Sequence, residues 1–171
     1  MKGYIQVYTG NGKGKTTCAI GLSVRAAGAG LKVLIVQFLK SGDYSEVKAL
    51  KKFGAAVTLK QFGAGRFIKG KPSPEDVRAA AEGLAFVREA VSSGEYDMIV
   101  LEEANVAVAC GVLRLEDLLE IMAHKPDRLE LVITGRNADP KVIEMADLVT
   151  EMKEVKHYFH NGVQARVGIE K

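Results

Sequence analysis

Residues 4–27 constrain this chain more than any other stretch. An apolar run, Tyr4-Ile5-Gln6-Val7-Tyr8, breaks into Thr9-Gly10-Asn11-Gly12-Lys13-Gly14-Lys15-Thr16-Thr17, and a helical pattern, Cys18 to Ala27, follows. Strand, glycine loop, Gly-Lys-Thr and helix in that order form a phosphate-binding loop. The glycines let backbone N–H groups turn onto phosphate oxygens, and the helix N-terminus adds free donors and partial positive charge. Lys15 adds a full charge, and the Thr16 hydroxyl is placed to ligate magnesium. Thr9, Gly10, Asn11, Gly12, Lys13, Gly14, Lys15, Thr16 and Thr17 are therefore the candidate nucleotide-binding residues. In the common spacing, G-x-x-x-x-G-K-[ST], the position of Thr9 is a glycine, which suggests a loop shaped for its own way of holding a triphosphate.

The rest of the chain continues the alternation. Leu31–Phe38 is nearly all apolar in its centre, as a strand buried on both faces must be. Ser45–Phe53 reads as a short helix and Ala56–Lys60 as a third strand. A glycine- and lysine-rich loop, Phe62–Pro74, has the length and composition of a ligand-covering segment. Pro74 to about Ser93 is the longest helix, with Ser73 as N-cap. Asp97–Glu103 and Leu129–Thr134 are further strands, and Val106–Cys110, Leu115–His124 and Pro140–Met145 read as helices. Leu148–Met152 is a short strand, and the tail, His157–Lys171, reads as extended with a hairpin turn at Asn161-Gly162. Alternating strands and helices predict a P-loop (RecA-like) three-layer α/β/α fold with a mostly parallel central sheet, as a single nucleotide-binding domain over residues 1–171.

Composition narrows the function classes. With 171 residues, 47% hydrophobic and 26% charged, the chain can bury a core without staples. A net charge of +3 is no nucleic-acid footprint, and no nucleic-acid module accompanies it. Cys18 and Cys110 are far apart and predict reduced, buried thiols in a cytoplasmic protein. No apolar stretch reaches membrane-spanning length, and no signal-peptide layout is present.

Ligands of parallel sheets sit beyond the strand C-termini. Four suggestive segments share that edge: the glycine loop, Gln37–Lys40, Glu102-Glu103 and Thr134-Gly135-Arg136. Glu102-Glu103 follows four apolar residues, as a Walker B acid does, and can hold magnesium beside Thr16. Neighbours on a strand point to opposite faces, so one of the pair faces the metal. Glu103 is the expected active carboxylate, with Glu102 bound through water or supporting it. Arg136 is suited to bidentate phosphate contact, and Lys40 can meet anionic ligand groups. His124, His157 and His160 lack metal-site spacing.

Together these segments resemble the P-loop type of ATP:corrinoid (cob(I)alamin or cob(I)yrinic acid a,c-diamide) adenosyltransferase. The resemblance is carried by Thr9–Thr17, Arg25-Ala26 ahead of Gly28 and Gly30, Val36–Lys40, Asp97–Glu103 and Ile133–Arg136. It continues through Ala146–Met152, Lys156-His157 and Gly168–Glu170. It implies transfer of the 5′-deoxyadenosyl group of ATP to cobalt(I) of a corrinoid, with Mg2+ or Mn2+ and with Lys15 and Glu103 as catalytic residues. It also implies a homodimer, and a flavodoxin-type or other reductase as partner. The family usually has Leu-Asp-Glu where this chain has Leu101-Glu102-Glu103. Members pair a Phe with a Trp in the loop before the long helix; here Phe67 remains, Lys69 is the nearest match to the Trp, and Phe67 and Lys40 are the expected corrinoid contacts. Some members also carry a basic segment ahead of the first strand, over the active site. Two other functions fit the glycine loop: a P-loop phosphotransferase or ATPase, and a non-catalytic nucleotide- or corrinoid-binding protein.

Overall fold

The computed structural model describes residues 2–65, 68 and 70–171. Strands β1 (Ile5–Thr9), β2 (Val33–Phe38), β3 (Val57–Phe62), β4 (Met98–Glu102), β5 (Glu130–Thr134) and β6 (Leu148–Glu151) form one sheet, ordered β3-β2-β4-β5-β1-β6. Every pairing is parallel. Helices α1 (Lys15–Gly28), α2 (Ser45–Leu50), α3 (Pro74–Ser93), α4 (Ala104–Ala109), α5 (Leu115–His124) and α6 (Pro140–Met145) connect the strands.

Two cores follow from the period-2 alternation of the strands. On one face Ala19 and Ala26 of α1 pack with Val33, Ile35, Val57, Met98 and Val100. On the other, Leu84 and Val87 of α3 and Leu118 of α5 pack with Leu34, Val36, Ile99 and Leu101. The predicted α/β/α layering is therefore present. Central side chains such as Leu101 are fully enclosed, and Leu101→Ala would cost about 2–5 kcal/mol through the cavity it leaves.

Helix ends follow their local chemistry. Ser73 and Asp76 form a capping box at the start of α3, Pro74 occupies its first turn, and Gly94 closes it at φ 67°. The predicted helix Ser45–Phe53 stops at Leu50 and tightens into a 3-10 segment, Lys51–Ala56, in which Gly54 takes φ 56°. β3 runs on to Phe62, into the stretch predicted to be loop, because its register with β2 extends to Phe38↔Phe62.

The chain after β6 departs from expectation. Instead of a hairpin it forms a 3-10 turn, Tyr158–Asn161, closed by Gly162 at φ 81°. The Gly162 N–H bonds back to the Phe159 carbonyl at 2.9 Å, so the Asn161-Gly162 signal ends a turn rather than joining strands. Arg166 and Tyr158 then hold Glu170 and fold the last residues back. Where this segment leaves the sheet it seals the glycine loop. The Met152 N–H bonds to the Thr9 carbonyl at 2.8 Å, and the Gly12 N–H bonds to the Met152 carbonyl at 2.6 Å. A Cβ at Gly10 or Gly12 would lie 2.5 or 2.6 Å from that carbonyl oxygen. Close backbone approach is thus what these two glycines permit. Among the described residues no helix is long and apolar enough to cross a membrane.

Candidate active site

Four strands leave the sheet at the same edge in the same way. The residue after β1, β2, β4 and β5 has positive φ: Gly10 at 92°, Leu39 at 61°, Glu103 at 61° and Gly135 at 131°. At Leu39 and Glu103 this conformation is strained for a side chain with a Cβ. At Glu103 the turn is held by its N–H, which donates to Thr134 Oγ1 at 3.1 Å. Two of these turn residues, Leu39 and Glu103, line a cavity of about 850 Å³.

Lys15 opens α1 and is buried. Its Nζ donates to the carbonyls of Gly10 at 2.8 Å and Gly12 at 2.7 Å, so the ammonium lies across the centre of its own loop. Burial lowers its pKa, the Arg136 charge lowers it further, and Glu103 works the other way. The next side chain, Thr16, donates its hydroxyl to Glu102 Oε1. Glu102 is 1% exposed and carries two more donors: Lys40 Nζ on Oε1 and Gln37 Nε2 on Oε2, both at 2.9 Å. Burial alone would lower the Lys40 pKa, but the charge and hydrogen bond of Glu102 outweigh it and the pKa is raised.

The two acids take different places: Glu103 lines the cavity, and Glu102 stands behind that lining. Glu102, not Glu103, touches Thr16, because Met98, Val100 and Glu102 share the sheet face on which α1 packs. Glu103 has already left the strand. Burial, then the neighbouring Glu102 charge, raises its pKa, against Lys40, Lys15 and Arg136.

The cavity brings together Gly12, Lys13, Gly14, Lys15, Thr16 and Thr17 with Lys40, Glu103 and Arg136. Thr9, Gly10, Asn11 and Glu102 stand outside that lining. The Thr9 hydroxyl accepts from the Ala138 N–H at 3.3 Å, tying the glycine loop to the turn after β5. Phe67 lies outside the described residues; Gly65 and Ile68, on either side of it, line the cavity. Cys110 lines it too, its thiol donating to the Val106 carbonyl at 2.7 Å, and burial raises its pKa.

Site-forming residues without a sequence signal come from two places. Gln61, at the end of β3, bonds to Gln37; nothing in its neighbourhood marks it. His157 and Gly168–Lys171 form a second cavity wall. The only signal for His157 and Gly168–Glu170 was their place in the family's motif order, and Lys171 had none. Lys13 reaches that wall, donating to the Ile169 carbonyl at 3.1 Å with Glu170 Oε1 at 3.9 Å.

A parallel α/β/α sheet whose first strand turns through this loop onto Lys15 and Thr16 is a P-loop nucleotide-binding protein. The model of the family ATP:corrinoid adenosyltransferase BtuR/CobO/CobP matches residues 1–170. The chain is 35% identical to the corrinoid adenosyltransferase of Pseudomonas aeruginosa, over 99% of this chain and 84% of that protein. Identity is also 35% with the corrinoid adenosyltransferase of Escherichia coli K12, covering 99% and 86%. With the corrinoid adenosyltransferase CobA of Salmonella typhimurium it is 34%, over the same shares. The chain belongs to the ATP:corrinoid adenosyltransferase family.

Proposed function

We propose that this protein transfers the 5′-deoxyadenosyl group of ATP to the cobalt(I) of a corrinoid and releases triphosphate. Beside family membership, one observation carries the reading for this chain's own residues: Lys15 and Thr16 line one cavity, and the Thr16 hydroxyl bonds to the Glu102 carboxylate just behind that lining.

Cobalt(I) is the nucleophile. Its electron pair forms the Co–C5′ bond, the C5′–O bond breaks, and triphosphate departs with that bond's electrons. No protein nucleophile is needed, so the protein's part is positioning and charge stabilisation. Lys15 and N–H groups of the loop hold the triphosphate, and Arg136 meets it from the β5 edge. A hydroxyl and a carboxylate are hard oxygen donors of the kind magnesium and manganese take, so Thr16 and Glu102 are the residues to hold Mg2+ or Mn2+. That ion would add positive charge to the leaving group. Glu103 stands beside Lys15 and Arg136 as a second carboxylate on the cavity. The corrinoid belongs at the side of the cavity bounded by Leu39, Lys40, Gly65 and Ile68, and the family resemblance adds Phe67 as a contact.

The family resemblance extends the reading to a cytoplasmic homodimer of single-domain subunits, supplied with reduced corrinoid by a flavodoxin-type or other reductase. The test is an anaerobic incubation with ATP, magnesium and chemically reduced cobalamin. Conversion of the cobalt(I) spectrum to that of a light-sensitive alkylcobalamin, with intact triphosphate released, supports the reading. Release of ADP would move the chain to the phosphotransferases. A persistent cobalt(I) spectrum with ATP bound would point to an earlier corrinoid acceptor.

A further inference from the structure

Gln61, Gln37 and Glu102 occupy one rung of the sheet. Gln37 is the Cα partner of Gln61 on β3 and of Glu102 on β4. All three side chains continue the face that carries Val33, Ile35, Val57, Met98 and Val100. Below this rung the face is apolar; at it the face turns polar, against the first turn of α1.

The hydrogen bonds along the rung have one direction. The Gly42 N–H donates to Gln61 Oε1 at 3.2 Å. Gln61 Nε2 donates to Gln37 Oε1 at 2.9 Å, and Gln37 Nε2 donates to Glu102 Oε2 at 2.9 Å. A backbone N–H can only donate, and a carboxylate can only accept. With those two ends fixed, neither amide can be reversed without setting two donors or two acceptors against each other. Gln37 is 1% exposed, so water cannot repair such a mismatch. The consequence reaches Thr16: with Oε2 occupied by Gln37, Glu102 presents Oε1 to Thr16 and Lys40.

We propose that Gln61 and Gln37 are positioning residues that orient Glu102 for the metal–triphosphate site, the polarity of the relay being set by the Gly42 N–H on the far side of the sheet. The relay rests on the metal placement proposed above. Gln61 acts without touching nucleotide: it does not line the cavity, and strand β2 separates it from Glu102 and its contact with Thr16. Outer partners of metal ligands typically alter affinity by 10–100-fold.

The test is equilibrium binding of ATP by calorimetry, with magnesium and with EDTA, to the full chain and to two variants. Gln61→Leu removes both ends of the link. Gln61→Glu keeps the shape and the acceptor for Gly42 but has no donor for Gln37, and guards against a packing defect in the first variant. The expected result in both is loss of about tenfold of the magnesium-dependent gain in affinity, with ATP binding in EDTA unchanged. A magnesium gain that survives in both variants overturns the relay. So does an equal loss with and without magnesium, which would mean general loosening. A wild-type protein with no magnesium gain overturns the metal placement and the relay together. Adenosyl transfer plays no part in this readout, so failure of the corrinoid reading would be seen separately, in the products.

Discussion

The two walls of the cavity are built in different ways. The strand-end wall is backed by Thr134, Gln37 and Glu102, all at 1% exposure or less, each bonded to a neighbouring strand or helix. The wall formed by residues 153–171 has no strand; it is held by the Tyr158–Arg166–Glu170 cluster and by contacts from Lys13 and Ser45. Val155 and Val167 within it are 89% and 80% exposed. The charges proposed to work on the triphosphate thus sit on elements that global folding fixes. The segment beside them is held by few buried apolar contacts, and such segments open at little free-energy cost. A cavity that must admit ATP and a corrinoid in turn has use for one wall of each kind.

Lys15→Ala should break this arrangement most deeply. It removes the charge that rests on the Gly10 and Gly12 carbonyls and, in the proposed function, on the triphosphate. Adenosyl transfer should fall by about 100-fold or more, the order seen when one preorganised charge-stabilising group is lost. Single-turnover rates with pre-reduced corrinoid would measure it. Retention of most of the rate would shift the catalytic weight to Arg136 and the loop N–H groups.

Glu102→Gln comes next. It keeps the side-chain shape but leaves Lys40 without its carboxylate. Removing one partner of a fully buried pair costs ~3–5 kcal/mol; with the Lys40 side chain 22% exposed, about 2–3 kcal/mol is the discounted expectation. Thermal melting would show it, and the magnesium-dependent gain in ATP affinity should disappear. Stability and metal response lost together would confirm that one residue serves both the fold and the site.

The strand-end wall was also the legible one. Apolar runs bounded by the glycine loop, Glu102-Glu103 and Thr134-Gly135-Arg136 located the edge of the sheet, because buried parallel strands must be apolar and must end in polar residues. The choice between Glu102 and Glu103 was not legible. Alternation says that one of the two faces α1, but which one depends on the face Met98 and Val100 take, and apolar residues cover both faces of a buried sheet. Gln61 was invisible for a related reason: its partner lies on another strand, and register is not written in either segment alone. The tail misled because Asn-Gly is a hairpin signal only where strands flank it. Here Gly162 ends a 3-10 turn, and the side chains that hold the tail, Tyr158, Arg166 and Glu170, meet only after folding.

Glu103 offers a finer cut within the strand-end wall. Its folded pKa is raised, first by burial and then by Glu102, above the ordinary glutamate value. A raised carboxyl favours the folded state below the unfolded pKa and loses that contribution as pH rises through the folded pKa. At neutral pH the ionised group therefore opposes folding. Glu103→Gln should be more stable than the parent at neutral pH, and the two melting curves should converge as pH is lowered toward the glutamate range. A variant less stable at every pH would mean that Lys40, Lys15 and Arg136 outweigh burial and Glu102.

The smallest effect on stability, and the sharpest test of the contrast between the walls, belongs to Glu170→Gln. Hydrogen bonds from the Arg166 side chain, the Tyr158 hydroxyl and the Arg166 N–H hold the Glu170 pKa down at about 2. A depressed carboxyl contributes above the unfolded glutamate pKa and loses that contribution only as pH falls through the folded value. The parent tail should thus stay protected in hydrogen exchange at about pH 3, where an unpaired glutamate is already protonated. In Glu170→Gln the amides of residues 166–171 should exchange freely at that pH and at neutrality. The global melting temperature should hardly move, because the segment shares no buried core with the strands. Proteolysis confined to residues 153–171 would agree. A fall in melting temperature as large as that of Glu102→Gln would instead place the tail in the same cooperative unit as the strand ends, and opening the cavity would then require unfolding part of the sheet.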